Sequence, residues 1–278
     1  MEMKIYNEVL TSRQNQTVKW VVTLHDKKGR DASRSFMAEG EKLTLEAASA
    51  GLPVTHIFIS ETKKDKLLPK ITAAFAADMY ANLALITVSD DVFEKISTEK
   101  APQGVISIIK YLDFFSELDI IYKEDFFLSH NERAIALSSV RDPGNLGSVI
   151  RSCVAFGIDH IVMTADTADL YNPKTVRSAM GSLFRVKATK VSDFASFIEA
   201  AKALGRRVFA AELTENAIPL NEASATSADI FVIGNEGHGI SPEISEKCSA
   251  SVYIPISKKT ESLNASVAAA IFMWEQSK

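Results

Sequence analysis

The chain has 278 residues, room for one large or two ordinary domains, and 46% of them are hydrophobic, which suffices for packed cores. Its net charge of −4 argues against a protein coated along its whole surface in nucleic acid. No apolar run approaches the ~20 residues that a bilayer-crossing helix needs, and two cysteines, Cys153 and Cys248, make neither a disulfide framework nor a zinc set.

The polar opening, with Glu2, Lys4 and Glu8, is no signal peptide, so a cytoplasmic protein without membrane contact is expected. The densest apolar run, Ala265 to Trp274, reads as a packed helix. Charge is unevenly spread. Through Lys110 there are 15 Lys+Arg and 14 Asp+Glu, and the remainder holds 16 and 21. The acidic surplus therefore lies in the later part. In the earlier part Lys19, Lys27, Lys28, Arg30 and Arg34 cluster, broken by Asp26 and Asp31. Such a cluster suits a phosphate-facing patch, and a solvated loop is an equal alternative on composition.

Taken in order, Thr11 to Leu24 predicts a helix with Ser12 as its cap. The basic stretch 27–34 follows as a connection, and Phe36–Ala38 reads as a short strand. Glu39 to Ala50 predicts a helix closed by Gly51 and Pro53. Strand His56–Ile59, a helix around 71–80 and strand 83–88 come next. Asp90 caps a further helix, and Gly104–Ile109 is a closing strand. Residues 1–110 thus form one α/β domain of ordinary size. Residues 111–130, with Phe114–Phe115 and Phe126–Phe127 among acids, read as a linker.

From 131 to 278 strands and helices alternate, which predicts a mainly parallel sheet with helices on both faces. Ala134–Leu137 is its first buried strand. Asp142-Pro143-Gly144 is turn chemistry, and Asn145 stands where an N-cap belongs. Leu146, Val149, Ile150, Cys153 and Val154 then recur at helical spacing up to Gly157. Six residues, nearly two turns, separate Asn145 from Arg151, so both can face one cleft. An ordinary capped βα unit has the same pattern. Further strands are predicted at 161–163, 185–191, 208–211 and 230–233, with a loop 166–173 leading into a helix through Lys174 and Met180.

Two later stretches carry chemistry. Strand Ile230–Ile233 runs into Gly234-Asn235-Glu236-Gly237-His238-Gly239, where glycines allow close backbone approach to a ligand. The order Gly-x-x-Gly-x-Gly and its late position disfavour a dinucleotide fingerprint, and no Gly-Lys-Ser/Thr ending supports a phosphate loop. A helix-start carboxylate is the plainer role for Glu236. Strand Val252–Ile256, containing Ile254, Pro255 and Ile256, precedes Ser262-Leu263-Asn264-Ala265-Ser266. There Ser262 reads as an N-cap and Asn264 as a first-turn residue. His25, His56, His130, His160 and His238 show no metal spacing, and Cys153 reads as core.

These residues resemble the three signatures of the SpoU/TrmH RNA methyltransferases, in the order of that family. Asn145 to Arg151 fits its Asn-x5-Arg core, Gly234 to Gly237 its Gly-x-Glu-Gly loop, and Ser262 to Ser266 its Ser-Leu-Asn-x-Ser stretch. Phe36–Gly40 and Ala101–Val105 resemble the substrate-binding domain that precedes the catalytic domain in that family. The resemblance implies a trefoil-knotted catalytic domain and a homodimer built on it. It implies S-adenosylmethionine-dependent 2′-O-ribose methylation of ribosomal or transfer RNA, without a metal. It places Arg151, Asn145, Glu236, Ser262 and Asn264 in the chemistry. The donor would lie against Ile233, Gly234, Asn235, Glu236, Gly237, Ile254, Pro255, Ile256, Ser262, Leu263 and Asn264. Lys19, Lys27, Lys28, Arg30 and Arg34 are the expected RNA contacts. A non-catalytic RNA-binding protein of ribosomal type is the alternative that the first domain alone would allow.

Overall fold

A computed structural model of the protein describes residues 4–75, 80, 82–118, 127–129 and 132–278. Parts of the predicted linker and helix, with Phe126, His130 and the end of the 71–80 stretch, lie outside them. The chain forms two compact units. One contains Met1–Leu112 together with Asp169–Phe184, the other Asp113–Ala168 together with Arg185–Lys278. The sequence reading assigned 169–184 to the second domain. The structure packs it with the first.

In the first unit, β1 (Lys4–Leu10), β2 (Ser35–Glu39), β3 (Val54–Ser60), β4 (Ala84–Val88) and β5 (Val105–Lys110) form a sheet ordered β1-β4-β3-β5-β2. β1 mixes apolar and polar residues without strict alternation, and its place at the sheet edge is recognisable by its parallel pairing with β4. Helices α1 (Gln16–Thr23), α2 (Lys27–Ser33), α3 (Glu41–Ser49), α4 (Lys64–Ala74) and α5 (Asp90–Ile96) complete it. The cap of α1 is Asn15 rather than Ser12, and that of α5 is Ser89 rather than Asp90. The core between α1, α5 and the sheet contains Val18, Val21, Leu24, Phe58, Val92, Phe93 and Ile106.

The stretch 27–33, read as a connection, is helical. Gly29 makes this possible, since a Cβ there would stand 2.0 Å from the Thr23 carbonyl oxygen at the end of α1. Arg30 does not face solvent. It is 2% exposed and donates to Leu24 O (2.8 Å), His25 O (2.7 Å) and Asp169 Oδ2 (2.6 Å). A buried guanidinium with these partners is structural and is withdrawn from the expected RNA contacts. Lys19, Lys28 and Arg34 are exposed, and Lys27 is exposed beside Asp31.

Residues 169–184 form a strap on this unit. Tyr171 stacks on Tyr111 at 4.0 Å and lies 4.6 Å from Phe36 on β2. The strap contains the helix α7 (Pro173–Ala179). Its Val176 and Ala179 are buried, as are Leu183 and Phe184 beyond it.

The second unit is one sheet of eight parallel strands. In chain order they are β6 (Phe115–Leu118), β7 (Ala134–Leu137), β8 (His160–Thr164), β9 (Lys187–Val191), β10 (Val208–Ala211), β11 (Ile218–Pro219), β12 (Ile230–Ile233) and β13 (Ala250–Tyr253). Their spatial order is β11-β13-β10-β12-β7-β8-β9-β6. The expected linker therefore supplies an edge strand, β6, paired with β9. The expected strand Val252–Ile256 stops at Tyr253, leaving Ile254 to Ile256 beyond the sheet.

β7 and β12 are buried along their whole length, as strands covered on both faces must be. Phe194, Phe197 and Ile198 of α8 (Phe194–Ala203) cover one face, against Ala136, Val162, Ala210 and Val232. On the other face Phe272 of α10 (Ala265–Ser277) meets Phe231 at 4.9 Å. α6 (Pro143–Phe156) packs beside α10. A short helix, α9 (Pro242–Lys247), precedes β13.

Candidate active site

Because β7, β10, β12 and β13 are parallel, their carboxyl ends open on one edge of the sheet. The chain runs outward from β7 through β8 and β9 on one side, while β12 and β10 lie on the other. The edge beside β7 and β12 is thus the switch point at which open parallel sheets bind ligands.

α6 starts at this edge. Its N-cap is Asp142, whose side chain accepts from the Asn145 N–H at 2.9 Å, and Pro143 occupies the first helical position. Asn145 is therefore inside the first turn and its own amide is free for other work. Its Nδ2 donates to Glu236 Oε1 at 2.8 Å, and its Oδ1 accepts from Asn264 Nδ2 at 3.0 Å. One side-chain amide thereby joins three stretches far apart in sequence.

Each partner is itself fixed. Asn264, not Ser262, caps α10, accepting from the Ser266 N–H at 2.9 Å and the Ser266 hydroxyl at 2.7 Å. In the β12 loop, Asn235 Nδ2 donates to Ser139 O (2.7 Å), while its Oδ1 accepts from the N–H groups of Gly237 (2.9 Å) and His238 (3.1 Å). Asn235 and Gly239 exchange backbone bonds, closing the loop. A Cβ on Gly234 would lie 2.5 Å from the Gly239 carbonyl carbon. Gly234 is thus required by the loop's own closure, a reason different from ligand approach.

Arg151 is not in this network. Six residues advance a helix by roughly 600°, about 120° short of two turns, so Arg151 projects from a different side of α6 than Asn145. It is exposed and makes no ion pair or hydrogen bond among the described residues. Ser262 is exposed, and its carbonyl accepts from the Thr260 hydroxyl. Leu263 is half-buried.

Beneath the loop a second set of polar contacts braces the approach to α6. Arg141 donates to Asp166 at 2.7 Å, and Ser139 and Thr164 donate to the same carboxylate. Burial alone would raise Asp166, but these three donors hold its carboxyl below the usual range.

Sequence reasoning missed Leu213. It follows β10, is 77% exposed, and shares the edge with the tails of β12 and β13. A lone apolar residue among Glu212, Thr214, Glu215 and Asn216 was the available signal. S-adenosylmethionine, which the resemblance implies, has a flat apolar-faced base and a charged tail. Exposed Leu213 and Ile256, the segment 254–256 beyond the end of β13, and the Asn235-organised loop suit such a molecule. The donor set fits.

Comparison with known proteins bears on the same residues. The sequence model of the SpoU rRNA Methylase family matches residues 132–274, and that of an MRM3-like substrate binding domain matches residues 15–107. The chain belongs to the SpoU rRNA methylase family. It is 30% identical over 265 residues to the 23S rRNA (guanosine(2553)-2′-O)-methyltransferase of Bacillus subtilis, covering 95% of this chain and 97% of the relative. It is 30% identical over 225 residues to a 23S rRNA (guanosine-2′-O-)-methyltransferase of Acinetobacter baylyi, covering 80% and 88%. The AdoMet-bound rRNA methyltransferase of Sinorhizobium meliloti superposes with a TM-score of 0.80 at 29% identity, covering 98% of this chain and 97% of that one. This SpoU chain thus shares 80–98% of its length with those relatives. Among its described residues no helix is long and apolar enough to cross a membrane.

Proposed function

We propose that this chain is an S-adenosylmethionine-dependent RNA methyltransferase that methylates a ribose 2′-hydroxyl, with ribosomal RNA as substrate and the cytoplasm as its place of action. The observation that carries the reading is the Asn145 amide bridging Glu236 and Asn264, which gathers all three family signatures at one sheet edge. The names of the Bacillus subtilis and Acinetobacter baylyi relatives support the reaction and the class of RNA.

When bound, the donor supplies an electrophilic methyl group. Leu213, the 234–237 loop, the 254–256 segment and Leu263 would hold it, and Asn145, Glu236 and Asn264 would fix the loops around it. A guanidinium such as that of Arg151 serves poorly as a base. The unengaged group is suited to grip an RNA phosphate and to stabilise the 2′-oxygen as its proton leaves. Ser262, exposed next to Leu263, is available to the same substrate. Lys19, Lys27, Lys28 and Arg34 on the first unit would meet other RNA phosphates.

The dimer belongs to this reading. α6 and α10 leave a groove of about 400 Å³ lined by Ser148, Ser152, Phe156, Val267, Ile271 and Trp274, with Trp274 54% exposed. A second copy covering it would place residues of both protomers near each site. The reading is tested by calorimetric titration with S-adenosylhomocysteine, and by mass mapping of ribose methylation in ribosomal RNA from a strain lacking the gene. Heat of binding and one missing 2′-O-methyl mark are expected. Absence of both overturns it.

A further inference from the structure

The chain passes between its two units at three places, after Leu112, after Ala168 and after Phe184. In the first unit two of these passages meet at α2. Arg30, inside that helix, pairs with Asp169, the first residue of the strap. Asp31, the next residue, accepts from the Tyr111 hydroxyl at 2.8 Å. The rings of Tyr111 and Tyr171 stack, and the Leu112 N–H donates to the Tyr171 hydroxyl at 2.7 Å. Arg34 covers the other side of the Tyr111 ring at 4.7 Å. α2 therefore grips both passages with consecutive residues of one short, basic helix.

On the other side of the Ala168–Asp169 peptide bond the restraints continue in the second unit. Ala168 N–H donates to Val140 O at 2.9 Å, and Asp166 holds Arg141 and Ser139. Val140 and Arg141 lead directly into Asp142, the cap that sets Asn145 in the first turn of α6. An unbroken run of bonds thus connects the Arg30 guanidinium to the turn that aims Asn145 and Arg151.

We propose that Arg30 is a positioning residue for methyl transfer: through Asp169 it fixes the segment that braces the entry to α6. The inference rests on the methyltransferase reading and goes beyond it. Sequence reasoning placed Arg30 on RNA. Its burial and its three acceptors give it this other role. Because the donor loops are held within the second unit and the exposed lysines are untouched, loosening Asp169 leaves both substrates bound. It disturbs their alignment, and misalignment on the scale of an ångström costs about two orders of magnitude in rate.

The experiment compares Arg30→Met, Asp169→Ala, the double variant and Asp169→Asn in the full chain. S-adenosylhomocysteine binding by calorimetry counts the donor-competent sites. Filter binding measures affinity for bulk ribosomal RNA from a strain lacking the gene, and tritiated S-adenosylmethionine measures turnover on it. Both affinities should stay within about twofold, while kcat per donor-competent site falls at least tenfold in Arg30→Met and Asp169→Ala. The double variant should fall short of the product of the two single losses, since the Arg30–Asp169 ion pair is common to both, while Asp169→Ala also removes the acceptor of the Tyr171 N–H and Arg30→Met the donors to Leu24 O and His25 O. Asp169→Asn, which keeps an acceptor, should retain most turnover. If Arg30→Met does not fold, Asp169→Ala carries the test, because Arg30 there keeps two carbonyl acceptors. A wild-type kcat per site in Asp169→Ala, whatever its melting temperature, overturns the proposal. Wild-type protein that neither binds the sulfur nucleotide nor labels RNA overturns the methyltransferase reading instead.

Discussion

Asn145 commits both ends of its amide, donating to a carboxylate and accepting from another amide, so a change of one atom reverses its meaning. In Asn145→Asp the new carboxylate faces Glu236 and loses the donor that held it. Turnover should fall at least tenfold and S-adenosylhomocysteine should bind more weakly, as titration of the variant would record. Arg151 is the contrasting case. It makes no hydrogen bond or ion pair among the described residues, so Arg151→Ala should abolish methyl transfer with donor affinity and melting temperature near wild type. Arg151→Lys should rescue little, because a point charge does not imitate the planar fork. Near-normal turnover in Arg151→Ala would exclude it from the chemistry. His160 makes a prediction in pH. Burial pushes its imidazole down to about 4, against Glu132 and Asp159 and with Lys187. The ring is therefore neutral near pH 7, and its 4.0 Å approach to Glu132 is not an ion pair there. Since the folded value lies below the ordinary 6.5, the unfolded chain takes up the proton first. The contribution is whole above pH 6.5 and is lost as pH falls from there to about 4, up to roughly 3 kcal/mol. Urea midpoints should show a flatter acid limb for His160→Gln than for wild type. Equal slopes would remove His160 as the cause.

At the scale of elements, α10 is held at both ends: Asn264 bonds to Asn145, and Gln276 Nε2 donates to Ala134 O (3.2 Å) and Asp229 O (2.7 Å). Gln276→Leu should cost about 1–3 kcal/mol in a denaturant melt, since it strands buried carbonyls. Trp274→Glu, on the exposed side of the same helix, should leave the fold alone and halve the mass seen by light scattering. A variant that stays dimeric would remove the α6–α10 groove from the interface. The central strands were legible in the sequence because a strand buried on both faces is an uninterrupted apolar run. The caps were harder. Asp142 and Asn145 are both good capping residues, and Pro143 at the first helical position decides for Asp142. Ser262 and Asn264 compete in the same way, and the path of the chain after β13 decides for Asn264. α2 was invisible because its polar sequence and Gly29 read as a loop. Its helix depends on close approach to α1, a tertiary fact. β6 and β11 are short edge strands and β1 an edge strand without strict alternation, and the identity of each lies in its partner.

At the scale of the whole molecule, residues 169–184 separate what is contiguous in sequence from what is contiguous in space. Nothing in their composition tells which sheet they cover. Tyr171, Val176, Leu183 and Phe184 would be apolar in either unit. A fragment beginning near 131 keeps the strap and loses the surface that buries it, so it should associate and bind a hydrophobic dye. The same fragment with 169–184 replaced by a short glycine-serine linker should be soluble and retain S-adenosylhomocysteine binding. A soluble, dye-negative fragment with the strap in place would show that the second unit can house it. Full-length protein should bind ribosomal RNA with a steep salt dependence, and charge reversal at Lys19, Lys27 and Lys28 should flatten it. The strap also sets a schedule. As the chain leaves the ribosome its first 112 residues emerge without the piece that covers Phe36 and pairs with Arg30, and the whole α6 segment is made before that piece appears. The first unit therefore cannot close in order of synthesis. It must wait, with β2 uncovered and a buried arginine unpaired, until residue 184 has emerged. The interval is a window in which a nascent-chain chaperone would find its binding surface on the amino-terminal unit rather than on the catalytic one.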